Sequence, residues 1–298
     1  MHEAVARFVP DGASVCMGTA LEALIPFAAG HEIIRQRRRD LTLVGPISDM
    51  LFDQLVAAAC VRRIQAAWVG NVSAGLGHNY RRAVERGIPH PIEVEDHSNL
   101  TIAAALQAGA MGAPYLPTRS LLGTGLLDSN PSFKQAHDPF SGDPVVLIPA
   151  LTPDVAILHV QRADREGHVH CWGTLGITRQ AALAAKRLVI VAEEIRPREV
   201  LLSDPGLVLA PALKVAAVVH EPFGAYPSPV QGCYRRAHDF YHRYHEDSRT
   251  AEGSRAWLDR WVFGVGDWKG FLDLLGADAQ RAVRITTPRF SEPLDYGA

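Results

Sequence analysis

The turn Met17-Gly18-Thr19-Ala20 closes a short apolar run, and a glycine there lets backbone N–H groups come close to an anion or a developing oxyanion. The same residues equally make an ordinary strand-to-helix turn, and they are not a GxGxxG fingerprint. A second glycine-flanked segment, Gly70-Asn71-Val72-Ser73-Ala74-Gly75-Leu76-Gly77, precedes a basic helix carrying Arg81 and Arg82. Ser73 departs from the GxSxG nucleophile elbow because Asn71 stands where that motif needs glycine, so phosphate or carboxylate binding and a plain turn both stay open. Glu95-Asp96-His97-Ser98-Asn99 ends a strand and opens an Ala-rich helix. Ser98 or Asn99 suits the helix cap and Asn99 is a candidate substrate contact, while Glu95 and Asp96 are expected at the strand-end surface of Gly18, in reach of proton transfer. Arg119 opens a loop after Pro117, either paired with a carboxylate there or anchoring a substrate carboxylate with its planar fork. Two histidine sets, His168-His170-Cys171 and His238-His242-His245, lack both HExxH and a carboxylate at ligand spacing, so no metal site is expected.

The elements that must position these residues follow from periodicity. Strands are predicted at 13–17, 41–45, 63–69 and 92–95, alternating with helices at 22–39, 49–59, 78–87 and 100–112. That rhythm predicts an α/β fold: an open, mainly parallel sheet with helices on both faces. The segment 118–142, rich in Gly, Ser, Pro and Asp, reads as a long irregular loop. Continuous apolar runs at 145–148, 155–160, 188–192 and 213–219 suit central strands buried on both faces. After Pro222 the chain turns aromatic and His-rich, with helix predicted over 239–262 inside a C-terminal helical cover spanning about 238–276. The whole of 1–298 reads as a single domain without internal repeats.

Composition narrows the function classes. With 47% hydrophobic and 21% charged residues the chain is of globular type, and its length allows a self-sufficient core. Thirty Lys and Arg against 32 Asp and Glu give a net charge of −2, which provides no broad field for a phosphate backbone, so no nucleic-acid partner is expected. Cys16, Cys60, Cys171 and Cys233 are far apart and form no CxxC pair, which fits a reducing cytoplasm. The N-terminal residues lack a signal-peptide pattern and no apolar stretch reaches membrane-spanning length, so neither export nor a membrane location is expected.

Laid end to end, these segments resemble the A (alpha) subunit of family I CoA-transferases, in the glutaconate CoA-transferase-like branch. The resemblance rests on the order and spacing of Asp40-Leu41-Thr42, Asn79-Tyr80-Arg81-Arg82-Ala83-Val84-Glu85, Glu95-Asp96-His97-Ser98 and Pro114-Tyr115-Leu116-Pro117-Thr118-Arg119. It continues through Asp154-Val155-Ala156-Ile157-Leu158-His159-Val160-Gln161, Glu193-Glu194-Ile195, Pro222-Phe223-Gly224-Ala225-Tyr226-Pro227-Ser228 and Trp261-Val262-Phe263. It implies a CoA-transferase-like fold, a cytoplasmic location and, for a partner, a similarly folded B subunit. A glutamate of that B subunit would attack an acyl-CoA, form a glutamyl-CoA thioester and pass CoA to an acceptor carboxylate. No tightly bound cofactor is implied, coenzyme A entering as substrate. This chain has no Ser-Glu-Asn-Gly segment such as the B subunit carries, so it resembles the half without the nucleophile. Where the family usually has a Gly-Gly-Phe-like turn, this chain has Gly18, Thr19 and Ala20. A related branch of the fold contains CoA-dependent ring-cleaving hydrolases that use a carboxylate and an arginine of the A subunit, which points to Glu95 and Arg119 as catalytic candidates. The substrate-binding candidates are Gly18, Thr19, Ser73 and Asn99.

Overall fold

The computed structural model describes residues 1–285. Along the chain the strands are β1 (Ser14–Cys16), β2 (Leu41–Ile47), β3 (Val61–Trp68), β4 (Gly70–Asn71), β5 (Gly75–Leu76), β6 (Glu93–Asp96), β7 (Tyr115–Thr118), β8 (Lys134–His137), β9 (Pro144–Pro149), β10 (Val155–Ala163), β11 (Val169–His170), β12 (Arg187–Ile195) and β13 (Val215–His220). The α-helices are α1 (His2–Phe8), α2 (Phe27–Arg35), α3 (Asp49–Ala57), α4 (His78–Arg86), α5 (Asn99–Met111), α6 (Gly125–Ser129), α7 (Thr178–Ala184), α8 (Arg198–Leu202), α9 (His238–Asp247), α10 (Ala251–Leu258), α11 (Trp268–Leu275) and α12 (Ala277–Val283).

The main sheet runs β13-β12-β10-β1-β2-β3-β6, with all these neighbours parallel and β11 folded back antiparallel onto β10. Its centre is made by the sequences that read as continuous apolar runs: from Val155 to Gln161 every residue of β10 is buried, and so is Leu188 to Glu193 of β12. From β1 through β2 and β3 the chain steps one way along the sheet, whereas β10 to β12 steps the other way. Right-handed crossovers therefore put α2 and α3 on one face and α7 on the opposite face, where α5 packs against it. The order reverses between β1 and β10, so the crevice that such sheets offer to ligands lies beyond the C-terminal end of β1.

Several predicted elements are corrected. The run 145–148 is not a central parallel strand: it is β9, the middle of a separate antiparallel sheet ordered β7-β9-β8. Val146 and Ile148 bury one face of it against Ala105 of α5, Leu121 and Phe133, and that satellite core explains the apolar composition. The segment 118–142 is only partly irregular, because it contains α6 and the polar strand Lys134–His137, whose sequence shows no alternation. The run 213–219 becomes β13, an edge strand that is half-buried rather than central. The helix predicted at 22–39 is limited to Phe27–Arg35, since Pro26 sets its start and left-handed Leu21 and Leu24 keep the preceding residues irregular. The cover is built of α9, α10, a π-helical turn Asp259–Phe263, α11 and α12. Phe240, Trp257, Trp261 and Phe271 pack edge to face within it, and Tyr241 and Trp268 reach Phe27 and His31 of α2. Residues 286–298 of the single-domain reading lie outside the described residues.

Candidate active site

The turn after β1 is held open by its neighbours. Gly18 has φ of +66°, and a Cβ on it would lie 2.1 Å from Ser48 Oγ, 2.8 Å from the Ile47 carbonyl oxygen and 2.8 Å from Ser48 Cα. Only glycine meets both demands. The Ser48 hydroxyl donates to the Met17 carbonyl at 3.0 Å, which ties the ends of β1 and β2 together. Thr19 is turned the other way. Its hydroxyl lies 2.9 Å from that of Thr178, and its carbonyl accepts from Ile177 N–H at 2.8 Å. Among the described residues, neither the Gly18 nor the Thr19 N–H has an acceptor. Two adjacent donors at a strand end, without partners, are the groups that an oxyanion or carboxylate would take up.

Beside this turn, the start of α3 and the β4–β5 loop are joined through one arginine. Asp49, fully buried with φ of +50°, accepts Val72 N–H at 2.9 Å and the Arg236 Nη2 donor at 2.5 Å. Burial pushes the Asp49 carboxyl up, against the pull of Arg236 and the Val72 N–H. Arg236 Nε donates to Ser73 Oγ at 2.9 Å, and His238 Nδ1 stands 3.0 Å from the same oxygen. Asn71 staples the loop, its amide donating to the Tyr241 carbonyl at 2.8 Å and its oxygen accepting Ser73 N–H at 3.1 Å. Glu22 is half-buried near this cluster; burial raises its pKa, Arg236 lowers it and Asp49 raises it. Ser73, Gly18 and Thr19 are thus brought to one strand-end region. Glu22, Asp49, Arg236 and His238 are further members of it that sequence reasoning missed as a group, because they come from three separate stretches of chain.

Glu95 and Arg119 are placed elsewhere. Glu95 lies near the C-terminal end of β6, the same end of the parallel sheet as Gly18, but three strands from β1 and so about 14 Å away across it. There it is buried in a polar cluster, accepting from Arg63 at 2.7 Å and Gln65 at 3.0 Å, with His97 Nε2 at 3.3 Å. The His97 hydrogen bond, helped by Gln65 and Arg63 against the cost of burial, pulls its pKa down to about 2. It is an ionised acceptor rather than a proton donor. Asp96 is exposed at the same strand end. Ser98 is the helix cap, accepting from Thr101 N–H at 3.1 Å in a reciprocal box, and Asn99 is exposed at the first turn of α5. Arg119 follows β7 and pairs with Asp143 at 2.5 Å, both exposed, on a groove of about 550 Å³ over the second sheet that also meets Tyr115, His137 and Phe140. The histidine sets disperse: His168 pairs with Asp164 at 2.6 Å, His170 with the Leu201 carbonyl at 2.8 Å, and the His245 ring lies tilted 4.5 Å from that of His78. Among the described residues no three potential metal ligands come together, and no helix is long and apolar enough to cross a membrane.

A parallel sheet whose strand order reverses beside an open, donor-lined turn is the frame of enzymes that bind acyl or phosphoryl groups at strand ends. The family model for coenzyme A transferase matches residues 1–221, and the chain belongs to that family. It is 39% identical over 271 residues to the A subunit of 3-oxoadipate CoA-transferase from Pseudomonas knackmussii, covering 91% of this chain and 95% of that one. It is 31% identical to the A subunit of glutaconate CoA-transferase from Acidaminococcus fermentans, covering 93% of this chain and 91% of that relative. The crystal structure of glutaconate CoA-transferase from the latter organism matches with a TM-score of 0.89 over 96% of this chain and 94% of that chain. A more distant likeness, 25% identity over 81% of this chain and 84% of the relative, is to a cholesterol ring-cleaving hydrolase IpdA subunit of Rhodococcus jostii.

Proposed function

We propose that this chain is the A half of a two-subunit CoA-transferase that moves CoA between an acyl-CoA and a carboxylate. The nucleophile would be a glutamate of a separate B subunit. The observation that carries the reading is the pair of unpartnered N–H groups of Gly18 and Thr19 at the reversal point of the sheet. When a carboxylate attacks a thioester carbonyl, the carbonyl oxygen becomes an oxyanion, the CoA thiolate leaves and a mixed anhydride forms. The thiolate then attacks the anhydride at the glutamyl carbonyl, releasing the free acid and leaving glutamyl-CoA. Each addition develops the kind of charge that fixed N–H donors stabilise. Because the relatives' names include 3-oxoadipate and glutaconate, both dicarboxylates, the acyl group is read as a small dicarboxylic one.

Ser73 belongs to this site as a substrate contact, not as a nucleophile. Its pairing with His238 has the spacing of a serine–histidine dyad, yet the Arg236 guanidinium also donates to Oγ, and a cationic donor draws electron density from the oxygen that would have to attack. The test is co-purification with the product of the neighbouring reading frame, then mass spectrometry after incubation with a panel of acyl-CoAs. A CoA adduct on a partner glutamate, lost on treatment with hydroxylamine, is the expected result. Hydrolysis or ring opening without an adduct refutes the transferase reading and moves the chain to the hydrolase branch, for which Glu95 and Arg119 are the candidates to substitute.

A further inference from the structure

Arg236 lies beyond the residues that the family model covers, but its guanidinium is built into the strand-end cluster. Its side chain is 1% exposed, lies 3.7 Å from the centre of the Tyr241 ring, and directs Nη2 to Asp49 and Nε to Ser73 Oγ. Among the described residues Nη1 is buried without an acceptor. An ion pair with Asp49 alone could take both donors of the Nε–Nη2 edge. Here that edge is split between a carboxylate and a hydroxyl.

A guanidinium only donates. Along that contact Ser73 Oγ is therefore the acceptor, and its own proton must point away from Arg236, to His238 Nδ1 or to the open side of half-buried Ser73. A charged donor on the oxygen also polarises the O–H bond and makes it a stronger donor in its turn. Ser73 N–H is held by Asn71 and the Val72 N–H by Asp49, so the loop has little freedom to present the hydroxyl differently. We propose that Arg236 is a positioning residue, which through its Nε–H contact sets the Ser73 hydroxyl as a hydrogen-bond donor to an anionic oxygen of the acyl substrate. This rests on the reading above that the acyl group enters this cleft. Lysine cannot replace it fully, because a single ammonium does not span Asp49 and Ser73 in the planar geometry of the fork.

The experiment is a double-mutant cycle on the complex with its B subunit, reading kcat and KM separately for Ser73→Ala, Arg236→Lys and both together. Loss of one oxyanion donor is expected to lower kcat on the order of 100-fold for Ser73→Ala. Arg236→Lys is expected to lose about 10-fold, and the double variant to match Ser73→Ala within about twofold, because the arginine acts through the serine. If the Arg236→Lys loss persists undiminished in the Ser73→Ala background, Arg236 does not act through Ser73 and the proposal is overturned while the site stands. If Ser73→Ala leaves turnover unchanged, the proposal and the placing of substrate at Ser73 both fail. Should Arg236→Lys not fold, Arg236→Met with Asp49→Asn removes both charges together and enters the same cycle.

Discussion

Gly18→Ala is the substitution whose consequence the geometry fixes most closely. An alanine at φ of +66° carries a left-handed penalty of about 1–2 kcal/mol. Its Cβ would also sit 2.1 Å from Ser48 Oγ and 2.8 Å from both the Ile47 carbonyl and Ser48 Cα. The serine hydroxyl can rotate away, at the loss of its bond to Met17, but the two backbone atoms belong to the last residue of β2 and the first residue after it and cannot. Forced displacement of this kind adds about 1–3 kcal/mol, for a total near 2–5 kcal/mol. At about 2–4 °C per kcal/mol for a chain of this class, the melting temperature should fall by roughly 4–20 °C. A shift of about 1 Å in the turn would misplace both N–H donors and cost about 100-fold in turnover. Adding Ser48→Gly relieves only the closest contact, so a partial recovery of stability is expected. Thermal melting of the free chain and turnover of the reconstituted complex, measured on the single and double variants, check this. An unchanged melting temperature would refute the packing argument. A lowered one with full turnover would remove Gly18 and Thr19 from the chemistry.

The remaining expectations are narrower. Burial, with Arg35 nearby, pushes the His31 pKa down to about 3. The unfolded chain therefore binds the proton that the folded chain refuses, and stability present above pH 6.5 is lost as pH falls, by about 1.4 kcal/mol per unit or about 2 kcal/mol at pH 5. Denaturant titrations at pH 7 and 5 should show this slope, and His31→Gln should flatten it; equal slopes would contradict it. Glu95→Gln should destabilise by about 1–3 kcal/mol in urea, since Arg63 and His97 lose an ionised acceptor, whereas Arg119→Ala, which breaks an exposed pair, should change stability by less than about 1 kcal/mol. Any large loss of turnover in Arg119→Ala would then report on substrate or partner and not on folding. A fluorophosphonate should leave Ser73 unlabelled in the isolated chain, and labelling would restore the serine-hydrolase alternative.

The parallel sheet was legible because its central strands are buried on both faces, and that makes 155–160 and 188–192 apolar without interruption. The same signal misassigned 145–148. A strand packed on one face by α5 and flanked by two prolines carries as many apolar residues as a central one, and nothing local tells which sheet it joins. Lys134–His137 escaped notice for the opposite reason, being an edge strand of polar residues whose place is set by pairing with β9 alone. At the site, Gly18 and Ser73 were legible because glycine at a strand end has a conformational meaning in sequence. Glu95 does lie at the same end of the sheet as Gly18, but its distance from that turn was not legible, because a residue's position along a strand does not reveal which strands separate it from another.

The residues that were not legible share one cause, and it bears on how the site holds together. Asp49 starts a helix and Arg236 precedes one, 187 residues apart, and neither stands in a motif. Their pairing appears only once the segment after Pro222 has folded back over the strand ends. There Leu24 N–H donates to the Pro229 carbonyl, Ala28 N–H to the Gly224 carbonyl, and Ser228 Oγ to the Glu22 carbonyl at 2.7 Å. The irregular stretch from Gly18 to Pro26, with left-handed Leu21 and Leu24, is therefore braced by chain that lies outside the match to the family model. Strained backbone persists where surrounding contacts over-determine it. The segment between Pro222 and α9 supplies those contacts, and the cover adds the aromatic packing of Tyr241 and Trp268 onto α2. It follows that the chain after Pro222 is part of the site: the open turn is held within residues 1–221 by Ser48, Ile177 and Thr178, but the bonds that brace the stretch after it and the Ser73 loop run to residues after 221.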